Sequence, residues 1–172
     1  MTSSQLHPDA NAAPHAPRRA IVDCGDVETE YFRAGRGRTV IFLGGALAGG
    51  GAREALVAAL ATRFRVIAPQ SLSVLAMAAA TESGERPFTR WLLGVLDGLG
   101  IDGASLVVEG PLALDASSFA EVYAARVERI VLLGAPTAAS PRLGMPILVL
   151  SDATAARVTS IMEFLDATVP GR

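Results

Sequence analysis

Few side chains in this sequence can do chemistry, and the first of them is Glu109. It closes the apolar run Leu106-Val107-Val108 and precedes Gly110-Pro111. At the carboxyl end of a central strand, where open α/β sheets bind ligands, desolvation would raise its pKa and suit it to proton transfer. The plainer alternative is a carboxylate satisfied by neighbouring backbone N–H groups or by an arginine. The glycine-rich loop Gly44 to Gly51 follows a second apolar run and could cradle an anion with its amides. It lacks the lysine of nucleotide-binding loops, and its glycines miss the Gly-x-Gly-x-x-Gly spacing. Gln70, Ser71 and Ser73 follow a third strand candidate, and Asp152 follows the last one. Each could meet a polar ligand or simply be solvated. Asp115, Ser117 and Ser118 fall on a helix, where Asp115 and Phe119 share a face, so that one of the two marks a helix edge and not a site. No metal-ligand spacing is present, and no motif calls for a cofactor. A serine nucleophile needs a base within hydrogen-bonding reach, yet both histidines, His7 and His15, lie near the start of the chain.

The elements that must position these residues are constrained by composition. At 172 residues, 51% hydrophobic and 19% charged, the chain can build one domain with a sizeable core. A net charge of -2 gives no electrostatic case for nucleic acid or an anionic membrane. All 15 basic residues are arginine, which with the abundant alanine fits a GC-rich bacterial genome and carries no functional meaning. The one cysteine, Cys24, reads as a small apolar residue in a strand. Residues 1–19 are polar and rich in Pro, Ala and His, so a disordered arm is expected there and a single domain over 20–172. The arm has no apolar central run, which leads us to expect a cytoplasmic protein.

Strand candidates are Ile21–Cys24, Val27–Arg33, Val40–Leu43, Arg65–Ala68, Ser105–Val108, Glu128–Leu133 and Pro146–Leu150. Helical spacing follows in Leu56, Val57 and Leu60, and again from Pro87 through Phe88, Trp91, Leu92, Val95 and Leu96 to the stop at Gly100. Further helices are expected over Leu112–Ala125, with Ala116, Ala120 and Ala124 as a small packing face, and around Val158, Ile161, Met162 and Leu165. Leu72–Ala80 is a further apolar helix candidate. Strands alternating with helices predict an α/β fold, a mostly parallel central sheet with helices on both faces.

Several segments, in this order, resemble the α/β-hydrolases. Tyr31-Phe-Arg-Ala-Gly35 is similar to their opening hairpin, and Phe42-Leu43-Gly44-Gly45 to the strand ending in His-Gly, with Gly44 in place of the histidine. Phe64-Arg-Val-Ile-Ala-Pro69 resembles "Tyr-x-Val-Ile-Ala-Pro-Asp", with Gln70 in place of the aspartate. Trp91–Asp102 and Ala124–Leu133 match the helix and strand on either side of the nucleophile elbow. That elbow is Gly-x-Ser-x-Gly on a sharp, strained turn. Counting back from Val127 puts Gly110 on the nucleophile, Val108 on the first elbow glycine and Leu112 on the second.

The resemblance implies a minimal hydrolase-like fold without a cap domain and without the last strand, whose triad is not retained. Gly44, Gly45 and Pro111 would be remnants of the oxyanion loop, and Asp152 lies a little early for the acid. The leading expectation is a catalytically degenerate protein, a pseudoenzyme that binds a partner protein or a small apolar ligand. The alternative is a non-hydrolytic enzyme, such as a lyase, isomerase or cyclase, using Glu109; an active esterase is a third. Loss of the last strand would leave Pro146–Ser151 as an uncharged edge, and exposed edges normally carry charges or prolines. A homodimer or an obligate partner is therefore expected, with no nucleic acid and no membrane involved.

Overall fold

Successive residues of the central strands pack into two separate cores, which is the consequence of a pleat buried on both faces. Ile41, Leu43, Leu106, Val108, Ile130 and Leu132 belong to one core, while Val40, Phe42, Val107, Val131 and Leu133 belong to the other. The computed structural model describes residues 18–24, 27–44, 51–69, 87–134, 144–150 and 155–167. Their strands are β1 (Arg18–Asp23), β2 (Glu28–Ala34), β3 (Thr39–Leu43), β4 (Arg65–Pro69), β5 (Ala104–Glu109), β6 (Val127–Leu133) and β7 (Ile147–Leu150). They form a seven-stranded sheet in the order β1-β2-β4-β3-β5-β6-β7. The hairpin β1–β2 joins β4 antiparallel, and every other pairing is parallel.

Helices cover both faces, as the alternation of elements predicts. On one face lie α2 (Pro87–Gly98) and α3 (Ala113–Val122), which contribute Trp91, Leu92, Leu96, Ala116, Phe119 and Ala120. On the other lie α1 (Gly51–Ala61) and α4 (Ala155–Asp166), which contribute Leu56, Leu60, Ile161 and Leu165. Among the described residues no helix is long and apolar enough to cross a membrane. Trp91 donates its indole N–H to the buried Thr29 hydroxyl at 2.9 Å, tying α2 to the hairpin. Cys24 follows β1 and donates to the same hydroxyl at 3.5 Å; burial pushes its thiol pKa up, which disfavours the thiolate.

The stop after α2 is a Schellman cap. Gly100 takes φ +62°, its N–H reaches the Asp97 carbonyl at 3.0 Å, and Ile101 N–H reaches the Leu96 carbonyl at 2.8 Å. Ile101 and Leu96 then sit in one core, the hydrophobic contact that accompanies this cap.

The helix expected over Leu112–Ala125 is shorter. A 3-10 turn at Gly110–Leu112 precedes it, and Tyr123 leaves helical geometry at φ -116°, ψ 48° before a second turn, Ala124–Arg126. Ala116 and Ala120 are buried as expected, but Ala124 is exposed. The break lets Arg126 bond Asp97 at 2.7 Å and the Ile101 carbonyl at 2.8 Å, which aims Val127 into β6. At the other end, β1 starts at Arg18, two residues inside the expected arm, because Arg18 and Arg19 pair with Arg33 and Phe32.

Candidate functional site

Parallel pairing of β3 with β5 sets Leu43 beside Val108, so the next residues of the two strands, Gly44 and Glu109, leave the sheet side by side. The Glu109 carboxylate lies directly over Gly44: a β-carbon on that glycine would collide with Oε2. Half-burial raises the Glu109 pKa above the ordinary carboxylate value, and the charge of Arg53 opposes the shift. Arg53 stands in the first turn of α1, with its guanidinium 5.5 Å from the centre of the Phe42 ring. Its Nη2 is buried and has no hydrogen-bond partner among the described residues. Glycine at 44, where the hydrolases carry histidine, thus leaves the space that the carboxylate fills.

Past Glu109 the backbone runs from φ -88°, ψ 146° into the 3-10 turn Gly110–Leu112. Positive φ among the described residues occurs at Gly35, Gly37, Gly100 and Gly134, and Gly110 does not share it. The turn at Gly110, which the resemblance aligns with the nucleophile, is therefore not a left-handed one, whereas a nucleophile elbow holds its serine on a strained turn. A β-carbon at Gly110 would lie 3.3 Å from the Gly134 carbonyl oxygen, a tight fit for any larger residue. The residue after the nucleophile supplies one oxyanion-hole N–H in these enzymes. Here it is Pro111, which has no N–H to give. Pro111, expected as part of the oxyanion-like loop, therefore offers that loop no backbone donor.

The remaining expected residues divide simply. Gly45, Gln70, Ser71, Ser73 and Asp152 lie outside the described residues, as does the helix candidate Leu72–Ala80. Asp115 sits half-buried at the edge of α3, and Ser117 donates to the carbonyl of Ala113 one turn back at 2.7 Å, so it serves its own helix. No group of three or more potential metal ligands occurs among the described residues. Sequence reasoning missed Arg53. Nothing in an alanine-rich helix marks one arginine as special, and only the packing of α1 against β4 and β2 brings its charge within reach of Glu109.

No protein-family model and no curated protein matches this sequence. Solved structures do. A carboxylesterase from Bacillus subtilis (CesB, YbfK) superposes with a TM-score of 0.59 at 22% identity, over 71% of this chain and 44% of its own. A serine hydrolase involved in carbazole degradation (CarC) gives 0.54 at 25%, over 70% and 49%. Epoxide hydrolase A from Mycobacterium thermoresistibile gives 0.55 at 21%, over 69% and 39%. The chain has the α/β-hydrolase fold and spans less than half the length of these structures.

Proposed function

We propose that this chain is a catalytically degenerate α/β-hydrolase-fold protein that works by binding, with a small apolar ligand or a protein partner as its object. The observation that carries this reading is the turn at Gly110. It lacks the hydroxyl, the strained backbone and, because Pro111 follows, an oxyanion donor. Removing one such donor costs about 100- to 1,000-fold in rate by itself, and the three losses fall on one step.

An esterase assay tests it. The purified chain is expected to leave p-nitrophenyl acetate and butyrate at their spontaneous rates of hydrolysis. Gly110→Ser is expected to do the same, since a new hydroxyl gains neither a base nor an oxyanion hole. Turnover by either protein that a serine-directed inhibitor abolishes would overturn the proposal.

A second reading, a non-hydrolytic enzyme, is favoured by the raised pKa of Glu109, since burial that holds a proton on a carboxyl helps it act as an acid or base. It requires Glu109→Gln to abolish turnover of whatever substrate is found while the fold persists. Binding alone requires only a modest change in affinity.

A further inference from the structure

We propose that the open edge of β1 pairs antiparallel with β1 of a second copy of this chain, about a twofold axis at Ile21. β1 ends the described sheet on the side opposite β7. Cys24 donates its N–H to the Val27 carbonyl at 3.0 Å, which marks these two as a hydrogen-bonded pair of the hairpin. Alternation from Cys24 turns the backbone groups of Val22, Ala20 and Arg18 towards β2. The N–H and C=O groups of Asp23, Ile21 and Arg19 therefore face away from β2, along the edge.

These three positions select both the occupant and its register. All three meet edge-facing counterparts only where Ile21 opposes itself, and Arg19 then opposes Asp23 of the second copy on either side of the axis. Val22 is buried in the core beneath α2, so Arg19, Ile21 and Asp23 project from the other face, and all three are exposed. Ile21 is 65% exposed, a large apolar side chain left in water. Pairing lays it against its own copy, between two pairs of opposite charge. Within the hairpin Asp23 stands opposite Glu28, and like charges in that position destabilise. Arg19 of the second copy brings positive charge to this acidic corner.

Arg19 is able to make that contact. Its side chain is 70% exposed and meets Glu30 of its own hairpin at 3.4 Å, an exposed pair of the kind that contributes little. A β-carbon on Gly98 of α2 would lie 2.7 Å from the Asp23 carbonyl oxygen, so glycine there leaves room at this end of the edge. Charges on an edge strand commonly protect it from pairing. They repel only a strand that brings like charge into register, and so they also choose the partner. An in-register parallel copy would set Arg19 beside Arg19 and Asp23 beside Asp23, whereas the antiparallel copy sets each beside its opposite.

This inference goes beyond the proposed loss of hydrolysis, because β2, β4 and β3 separate β1 from β5 and the turn at Gly110. A six-residue strand is a small contact beside the roughly 1,200–2,000 Å² of stable interfaces, so the pairing is weak, on the order of 1 mM. The test uses the full chain carrying Val149→Lys, which charges the edge at β7 and leaves β1 to pair. Sedimentation velocity is expected to show a monomer at low concentration and a dimer, with nothing larger, towards about 1 mM. Exchange of the Ile21 amide is expected to slow as the dimer forms. Arg19→Glu sets a carboxylate against Asp23 and is expected to weaken the dimer at least about tenfold. Combining it with Asp23→Arg exchanges the signs and is expected to regain most of that loss, which damage to the hairpin would not allow. Ile21→Lys places two like charges on the axis and is expected to abolish the dimer, with circular dichroism showing that each variant folds. A monomer at every concentration would overturn the proposal, and slow exchange of the Ile21 amide in that monomer would give the edge to another segment of the same chain. A dimer indifferent to Ile21→Lys would also overturn it, as would a double variant no tighter than Arg19→Glu alone.

Discussion

The carboxylate of Glu109 occupies the space above Gly44, and each residue accounts for the other. Gly44→Ala forces that carboxylate or the end of β3 to move, and overpacking of this kind costs about 1–3 kcal/mol. Urea denaturation should show that loss, and Glu109→Ala should relieve the share due to the carboxylate, leaving that of the Phe42 ring 2.9 Å away, a coupling that a double-mutant cycle isolates. Additive losses would mean the two residues do not touch. The raised pKa of Glu109 also has a sign. A carboxyl whose folded pKa lies above its unfolded value contributes stability below the unfolded value, and that contribution is lost as pH rises through the folded one. Glu109→Gln should therefore melt above the unmodified protein at neutral pH. The gap should close as pH falls to the ordinary carboxylate range, about 4.5, and a constant gap across pH would contradict the assignment. Glu109 was legible in the sequence as a carboxylate at a strand end. Its direction was not, because no periodicity sets where a side chain turns once the strand is over.

Among the elements, the strands are where sequence and structure agree best, since runs such as Val40-Ile41-Phe42-Leu43 leave little choice to a chain buried on both faces. The helix after the elbow was read too long because Tyr123 to Arg126 keep helical residue types. The tertiary bonds of Arg126 to Asp97 and the Ile101 carbonyl turn the chain there instead. Arginines also hold the last helix. Arg38 donates to the Leu165 carbonyl at 3.0 Å, Arg129 to the Ala167 carbonyl at 2.5 Å, and Arg63 pairs with Asp166 at 2.8 Å. All three meet the carboxyl end of α4, where unsatisfied carbonyls concentrate negative potential. Arg129 matters most, being 3% exposed and packed 5.3 Å from the centre of the Phe164 ring. Arg129→Ala should cost about 1–3 kcal/mol in urea denaturation, the range for orphaned buried acceptors. Arg63→Ala, on an exposed pair, should cost about 1 kcal/mol or less. Equal effects would show that burial does not decide the ranking.

At the scale of the whole molecule, β7 ends the sheet among the described residues. The Pro146 and Leu150 carbonyls accept from Ile130 and Gly134 of the β6 side, so alternation turns the backbone of Ile147 and Val149 to the open edge. Neither residue is charged, and uncharged edges recruit further strands. Self-association through β7 is accordingly expected, with light scattering showing a dimer that Val149→Lys converts to monomer. A monomer in both cases would contradict it. The fold itself was legible because order and spacing of strands and helices specify a topology even at low identity to solved structures. Function was less so, since the approach of Arg53 to Glu109 draws on two elements that no local pattern connects. The central claim is that the scaffold carries no working nucleophile at Gly110. The most direct measurement is intact-mass spectrometry of the native protein after incubation with a fluorophosphonate. The mass is predicted to stay unmodified, whereas a stoichiometric adduct on a serine, lost on denaturation before labelling, would contradict the account.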